Sequence, residues 1–359
     1  MFRATLKGKE LQSIIAQADA IREKTTVPIL ECVRLITGEA VGVMAESSCI
    51  TQGVRAWVEN DSVAGMTGHD IATPLPQLAP IVMSLDKDAD VSLELAGSQL
   101  VVKQGRRSYK LPTLPPEDFH DPMAGIEKDA LTRWKCTSDQ LREAVKSVMF
   151  AVEPPGTSRY YLAGAFFDSG NHVIVATDGH KMAIEPAEWL TDGKSVIVPK
   201  DALVLFSKFT GDVDICVRET SAFFHMDRMV LRTNLIDGTF PDWQRVAPVD
   251  AKTVTRVSRD AFAEAIKACA ATKSSAARFI FDSGNSTIET GRDNDDASSR
   301  IEFEADGDSW KFLANLKYMS DLIDSLPGGS DLEIRQNGEG CAVEIRAGER
   351  RRIIMPMRW

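Results

Sequence analysis

The sequence predicts an α+β chain made of three repeats of one small domain, and three observations predict it. Starts of amphipathic helices recur roughly every 120 to 130 residues, the size of a small domain. Each start opens the same order of elements: strand, helix, strands, helix, strands. Hairpin signals fall at equivalent places, Ser169-Gly170-Asn171 after the apolar strand 164–167 and Ser283-Gly284-Asn285 after the apolar strand 278–281.

The first repeat opens with a helix over residues 9–18, where Leu11, Ile14, Ile15 and Ala18 share one face. The second opens after Ser138, with Leu141, Val145 and Val148 at helical spacing, and the third after Ser258, with Phe262, Ala265, Ile266 and Cys269. Ser138 and Ser258 read as N-caps. Each repeat then carries a second helix. Thr73-Pro74 opens one bearing Leu78, Ile81, Val82 and Leu85; Val196-Ile197-Val198-Pro199 leads into Leu203, Val204, Phe206 and Phe209. Trp310-Lys311-Phe312 leads into Tyr318, Met319, Leu322, Ile323 and Leu326, stopped by Pro327-Gly328-Gly329. Residues 115–128 and 247–252 lack periodicity and read as linkers, which predicts domains over 1–121, 129–246 and 253–359.

Composition narrows the function classes. A chain of 359 residues with 43% hydrophobic content fills more than one ordinary core. Its 42 Lys and Arg against 52 Asp and Glu give a net charge of −10, which argues against general adhesion to nucleic acid while leaving local basic surfaces open. Cys32, Cys49, Cys136, Cys216, Cys269 and Cys341 lie far apart without C-x-x-C pairs, and read as buried small apolar residues of a reducing compartment, with neither disulfide nor zinc. The first residues lack a hydrophobic signal core and no apolar run approaches bilayer length, so a cytoplasmic protein without a membrane partner is expected. The run Arg292-Asp293-Asn294-Asp295-Asp296 lacks the Gly and terminal Glu of a calcium loop and reads as a solvated loop; no metal or cofactor is expected.

One hexapeptide invites a catalytic reading. In Thr177-Asp178-Gly179-His180-Lys181-Met182, at a strand end, Asp178 could orient His180 as a general base. No nucleophile or metal-ligand spacing accompanies it, so no catalytic residue is assigned.

That hexapeptide belongs with Arg159-Tyr160-Tyr161-Leu162, with Phe240-Pro241-Asp242-Trp243-Gln244-Arg245-Val246 and with Met355-Pro356-Met357-Arg358-Trp359. In this order the segments resemble the bacterial sliding clamp family, the β subunit of DNA polymerase III. Its members carry RYYLNG, TDGHRLA and a G-x-FPDY segment and finish on MPMRL. Val27-Pro28-Ile29-Leu30, Leu111-Pro112-Thr113-Leu114-Pro115 and Asp118-Phe119 extend the resemblance along the whole chain.

The resemblance implies a head-to-tail homodimeric ring of six domains, helices lining the hole and antiparallel sheets outside. Such a processivity factor encircles double-stranded DNA without reading its sequence, and an acidic exterior suits it. Partners implied are the polymerase III catalytic subunit, a separate ATPase acting as clamp loader, and other proteins bearing a short motif with Gln and a Leu-Phe pair. The chain itself has no nucleotide-binding loop.

By matching position, the peptide-binding cleft comprises Leu162, Thr177, Gly179, His180, Lys181, Met182, Pro241, Arg245, Val246, Ile353, Met355, Pro356, Met357 and Arg358. Its methionines would adapt to varied peptides. Lys24, Tyr160, Tyr161 and Lys200 match DNA-contacting positions; amphipathicity adds Arg142, Lys146, Lys208, Lys267 and Lys317. Tyr109 and Leu111 match one side of the dimer seam, and Ala270, Ala271 and Thr272 the other. Several positions depart from the family pattern: Lys181 stands for Arg, Met182 for Leu, Trp243 for Tyr, Trp359 for Leu and Pro76-Gln77 for an Arg-Lys pair. The small residues at 270–272 remove apolar area and are expected to weaken the seam. Two other readings remain: an enzyme using His180 and Asp178, and a clamp-like DNA-binding or regulatory protein that closes no ring.

Overall fold

The computed structural model describes all residues except Met1, 40–41, 64–67, 248–250, 292–297 and Trp359. The acidic run at 292–296, Trp359 and half of the second linker therefore lie outside the described residues. The strands, in chain order, are β1 (Arg3–Lys7), β2 (Cys32–Gly38), β3 (Gly42–Ser48), β4 (Gln52–Val58), β5 (His69–Pro74), β6 (Asp90–Ala96), β7 (Gln99–Gln104), β8 (Arg107–Pro112), β9 (Thr132–Thr137), β10 (Gly164–Asp168), β11 (Val173–Thr177), β12 (Lys181–Pro186), β13 (Val196–Pro199), β14 (Asp212–Val217), β15 (Ser221–Met226), β16 (Met229–Asn234), β17 (Thr253–Ser258), β18 (Ala276–Phe281), β19 (Ser286–Thr290), β20 (Ser299–Phe303), β21 (Asp306–Gly307), β22 (Trp310–Asn315), β23 (Asp331–Gln336), β24 (Val343–Ala347) and β25 (Arg350–Ile354). The helices are α1 (Gly8–Asp19), α2 (Leu75–Met83), α3 (Ser138–Val148), α4 (Lys200–Leu205), α5 (Arg259–Ala270) and α6 (Leu316–Asp324).

One block of four strands recurs six times among the described residues. A lone strand pairs with a three-stranded meander, giving the orders β1-β6-β7-β8, β5-β2-β3-β4, β9-β14-β15-β16, β13-β10-β11-β12, β17-β23-β24-β25 and β22-β18-β19-β20. Each lone strand runs straight into a helix with no intervening residue. These joints are built locally. Pro74 and Pro199 occupy the extended N-cap positions of α2 and α4, and Asn315 caps α6 by accepting the Tyr318 N–H at 3.0 Å. At the first joint a Cβ on Gly8 would lie 1.9 Å from the Asp86 carbonyl oxygen, so only glycine fits there.

The chain forms two compact units. The first, residues 1–138 and 208–235, holds the β1-β6-β7-β8 sheet and an eight-stranded sheet in which β4 pairs with β16. The second, residues 139–207 and 236–359, holds the β20-β19-β18-β22 sheet and a nine-stranded sheet in which β12 pairs with β25. All of these pairings are antiparallel. One sheet in each unit thus joins strands from either side of a sequence linker, and compactness divides the chain differently from its repeats.

In the first unit Leu11, Ile14, Ile15 and Ala18 are all buried, as the helical face predicts, and each large one contributes about 1.5–3 kcal/mol of burial. Gln12 is buried beside them because its Nε2 donates to the Val82 and Leu85 carbonyls, satisfying groups left open where α2 ends. In the second unit Phe262 packs among Phe279, Phe281 and Phe303, with Met319, Leu322 and Ile323 of α6 in the same core.

Ser258 holds the expected N-cap position of α5, without a side-chain hydrogen bond. Three other expectations are corrected. Ser138 is the first, buried residue of α3. Val204 is exposed, because α4 is only six residues long before tightening into a 3-10 turn over Phe206–Lys208. Cys341 is exposed in the turn before β24, whereas the other five thiols are buried. Among the described residues no helix is long and apolar enough to cross a membrane.

Candidate binding cleft

The β11–β12 hairpin turns on Thr177, Asp178, Gly179 and His180, and its polar groups are consumed locally. Thr177 Oγ1 donates to the Lys181 carbonyl at 2.8 Å and accepts the Gly179 N–H at 3.1 Å. Asp178 Oδ1 accepts the N–H groups of His180 and Lys181, both at 2.9 Å. Its other oxygen takes the Lys181 ammonium, and both side chains are buried. Burial pushes the Asp178 carboxyl up, but these hydrogen bonds and the Lys181 charge outweigh it and hold the pKa below the ordinary value. Asp178 therefore organises the turn and does not orient the His180 ring. That imidazole stacks on Tyr318 at 6.2 Å, and the described residues contain no cluster of metal-ligating side chains beside it.

Gly179 has φ +83°, and a Cβ there would meet Arg159 Nη1 at 2.4 Å. Arg159 is fixed from the other side by Glu153, 2.9 Å from its Nη2. The turn is thus buttressed by the strand-entry segment that bears Tyr160, Tyr161 and Leu162.

Beneath the turn lies an apolar floor. Leu162, Met182 and Ile353 pack in one cluster with Val175, Ile197, Phe240, Trp243 and Ala247. Met182 and Ile353 face each other across the β12–β25 ladder. The 3-10 turn Trp243–Arg245 is pinned above by Trp243 Nε1, which donates to Asp168 Oδ2 at 2.9 Å, and by Phe166 stacked on Phe240 at 4.8 Å. The C-terminal segment closes the surface: Met355 N–H donates to the His180 carbonyl at 2.9 Å and Met357 N–H to the Leu313 carbonyl at 2.7 Å.

The cleft residues divide by exposure. Leu162, Thr177, Lys181, Met182 and Ile353 are buried, Pro356 is half-buried, and Gly179, His180, Pro241, Arg245, Val246, Met355, Met357 and Arg358 are exposed. One expectation changes with this. Met182 is floor and not an adaptable exposed methionine, a role left to Met355 and Met357, which are 42% and 44% exposed. The Lys181 ammonium lies between Asp178 and the face of Tyr318, 4.2 Å from the ring centroid.

Outside the cleft, Lys24 is exposed in the loop after α1, Lys200 opens α4 half-buried, Tyr160 is 57% exposed and Tyr161 packs against the apolar cluster. Lys146, Lys208 and Lys267 are exposed, whereas Arg142 pairs with Asp139 and Lys317 with Asp321 along their own helices. Tyr109 is half-buried, and Leu111 is buried in its own unit because it faces Leu100 across the β7–β8 ladder. Ala270 and Ala271 are exposed. Thr272 Oγ1 contacts Thr290 Oγ1 at 3.1 Å, which contacts Ser299 Oγ at 2.8 Å, so the end of α5 is tied to β19 and β20. Sequence reasoning missed Tyr318, Arg159 and Asp168 as supports of the cleft; only the turn-forming Asp168-Ser169-Gly170-Asn171 carried a local signal.

A repeated strand–helix block and a composite apolar groove assembled from three distant segments define a sliding-clamp fold. Models of the DNA polymerase III β-subunit N-terminal and central domains match residues 5–122 and 135–242, together more than half of the chain. The chain belongs to the bacterial DNA polymerase III β-subunit family. A beta sliding clamp of Caulobacter vibrioides is 29% identical over 347 residues, covering 91% of each chain. The structure of the sliding clamp from Caulobacter crescentus superimposes with a TM-score of 0.86 at 25% identity, and that of the β subunit from Pseudomonas aeruginosa with 0.90 at 22%, each covering 100% of both chains.

Proposed function

We propose that the protein is a DNA sliding clamp: two copies close head to tail around duplex DNA, and partner proteins dock in the cleft of Leu162, Met182, Val246, Ile353 and Met355. The observation that carries the ring is the pair of open strand edges beside the candidate seam residues. β8, which bears Tyr109, and β20, tied through Ser299 and Thr290 to Thr272, each end a four-stranded sheet with no neighbour on the outer side among the described residues. Pairing the two edges across copies would satisfy both and leave no free end in a closed ring. The six recurring blocks support reading the chain as three domains, 1–121, 129–246 and 253–359, two blocks to each.

Lys24, Tyr160, Tyr161 and Lys200 are proposed to meet the phosphate backbone loosely, and the polymerase III catalytic subunit and a clamp loader to share the cleft in the cytoplasm. The test is retention on nicked circular DNA with a cognate loader and ATP. A closed ring stays on the circle and is lost when the circle is cut. Retention indifferent to cutting, falling only with salt, would mean that the protein holds DNA by contact and closes no ring.

A further inference from the structure

On the sheet face that carries the cleft floor, one buried carboxylate is ringed by three guanidiniums. Glu344 of β24 has none of its side chain exposed. Arg351 Nε donates to its Oε1, Arg346 Nε lies 2.8 Å from its Oε2, and Arg335 Nη1 lies 3.9 Å from the same oxygen. The three arginines come from β25, β24 and β23, and their side chains remain 23%, 29% and 17% exposed. Arg335 Nε has no hydrogen-bond partner among the described residues. The neighbouring acid, Glu333, is opposite Arg346 in the ladder but already pairs with Arg256 at 3.1 Å. Two positive charges are therefore left over on a half-buried surface where water screens them poorly.

This patch is continuous with the cleft. Glu344 stands directly opposite Ile353, a floor residue, and Arg351 stands opposite Ile184 of the same apolar cluster. Opposed residues on antiparallel strands share a face, and a strand advances about 3.3 Å per residue. Arg351 is thus roughly 7 Å beyond Ile353 on one side, as Met355 is on the other, so four or five extended residues span from the exposed methionine to the arginines.

We propose that the Arg335–Arg346–Arg351 patch selects partner peptides that carry Asp or Glu beside their apolar anchor residues. This rests on the cleft reading and names the partner chemistry that the cleft alone does not. Glu344 at the centre disfavours a run of phosphates, while the remaining charge suits single carboxylates, to which Arg presents a forked donor.

The test uses the full chain and three fluorescent peptides with a Gln and Leu-Phe core, extended at either end by aspartates, serines or lysines. The aspartate peptide is expected to bind about five-fold more tightly than the serine peptide at low salt, and the lysine peptide more weakly. Arg346→Gln should bring that ratio towards one, Arg346→Lys should restore part of it, and Glu344 keeps Arg351 as a partner in both. If a variant fails to fold, the salt series on the unaltered protein decides: the advantage must shrink between about 50 and 500 mM salt. Equal binding of the three peptides, or an acidic preference unchanged in Arg346→Gln, overturns the proposal and leaves the cleft standing. Binding of none of them overturns the cleft reading and the proposal together. Displacement of the aspartate peptide by a short DNA duplex through the same arginines would assign the patch to phosphate instead and overturn it.

Discussion

Arg352 donates through Nη2 to Glu185 Oε2 at 2.9 Å across the β12–β25 junction, with its side chain wholly removed from solvent. Its Nη1 also donates to the Ile184 carbonyl, and Arg350 reaches the other Glu185 oxygen at 2.7 Å. Taking these charges out of water is costly, and their attraction roughly offsets that cost only while both partners are present. Glu185→Ala strands a buried guanidinium and is expected to destabilise the second unit by about 3–5 kcal/mol in urea unfolding. Arg352→Met combined with Glu185→Leu should recover most of that loss, since Arg350 is exposed enough to be hydrated alone. An equal loss in single and double variants would sink this account.

Gly179 provides a second test, because its left-handed backbone and its approach to Arg159 can be separated. Gly97 shares the positive φ, at +63°, but a Cβ there meets nothing within 4 Å. Both Gly→Ala changes should cost about 1 kcal/mol through backbone strain. Only Gly179→Ala is expected to weaken peptide binding in the cleft, by displacing Arg159. Fluorescence anisotropy with the same motif peptide compares the two, and equal affinity in both variants would detach this turn from binding.

The folded-state pKa of Asp178 lies below its unfolded value, which fixes the sign of its contribution to stability. The stabilisation is fully present above the unfolded value of about 3.8 and is lost as pH falls through the lower, folded value. Urea midpoints of the native chain should therefore drop more steeply below pH 4 than those of Asp178→Asn, with the two curves converging at the acid end. His225 acts in a separate window: burial is the main cause that depresses its pKa, so its stabilisation is present above about pH 6.5 and erodes as pH falls through its folded value. His225→Gln should flatten the curve between pH 6.5 and 5 and leave the Asp178 step untouched.

The helix faces and the hairpins were legible because they rest on local periodicity: Leu11, Ile14 and Ile15, or Phe262, Ile266 and Cys269, need only their neighbours in sequence to declare a buried side. The cleft segments were legible as strings, through resemblance. What each residue does within them was not. The partner of Lys181 is invisible until Tyr318, far along the chain, is brought over it, and Met182 reads as an adaptable peptide contact until Ile353 pairs opposite. The β4–β16 and β12–β25 pairings join edges of distant strands, for which no spacing rule exists. Arg350-Arg351-Arg352 was visible only as charge. Strand alternation sends Arg351 to the Glu344 face and Arg350 and Arg352 to Glu185, a division that needs the ladder register.

Thiol reactivity should separate Cys341 from the other five cysteines. The thiolate is the reactive form, so both access and pKa set the rate. Burial pushes Cys136 up to about 12 and Cys32 up to about 11, with nearby carboxylates adding to both, and it also raises Cys49 and Cys269. Cys341 alone is exposed, in the turn that leads into β24. Brief alkylation of the native protein at pH 7.5 is expected to modify Cys341 and leave the rest, whereas all six react in denaturant. Intact-mass spectra would show one adduct, and peptide mapping would place it. If Cys32 or Cys136 labels at a comparable rate, the eight-stranded sheet that holds both opens far more readily than its buried side chains allow. Cys341→Ser should abolish the fast phase without lowering the urea midpoint by more than about 0.5 kcal/mol equivalent, because an exposed turn residue contributes little packing.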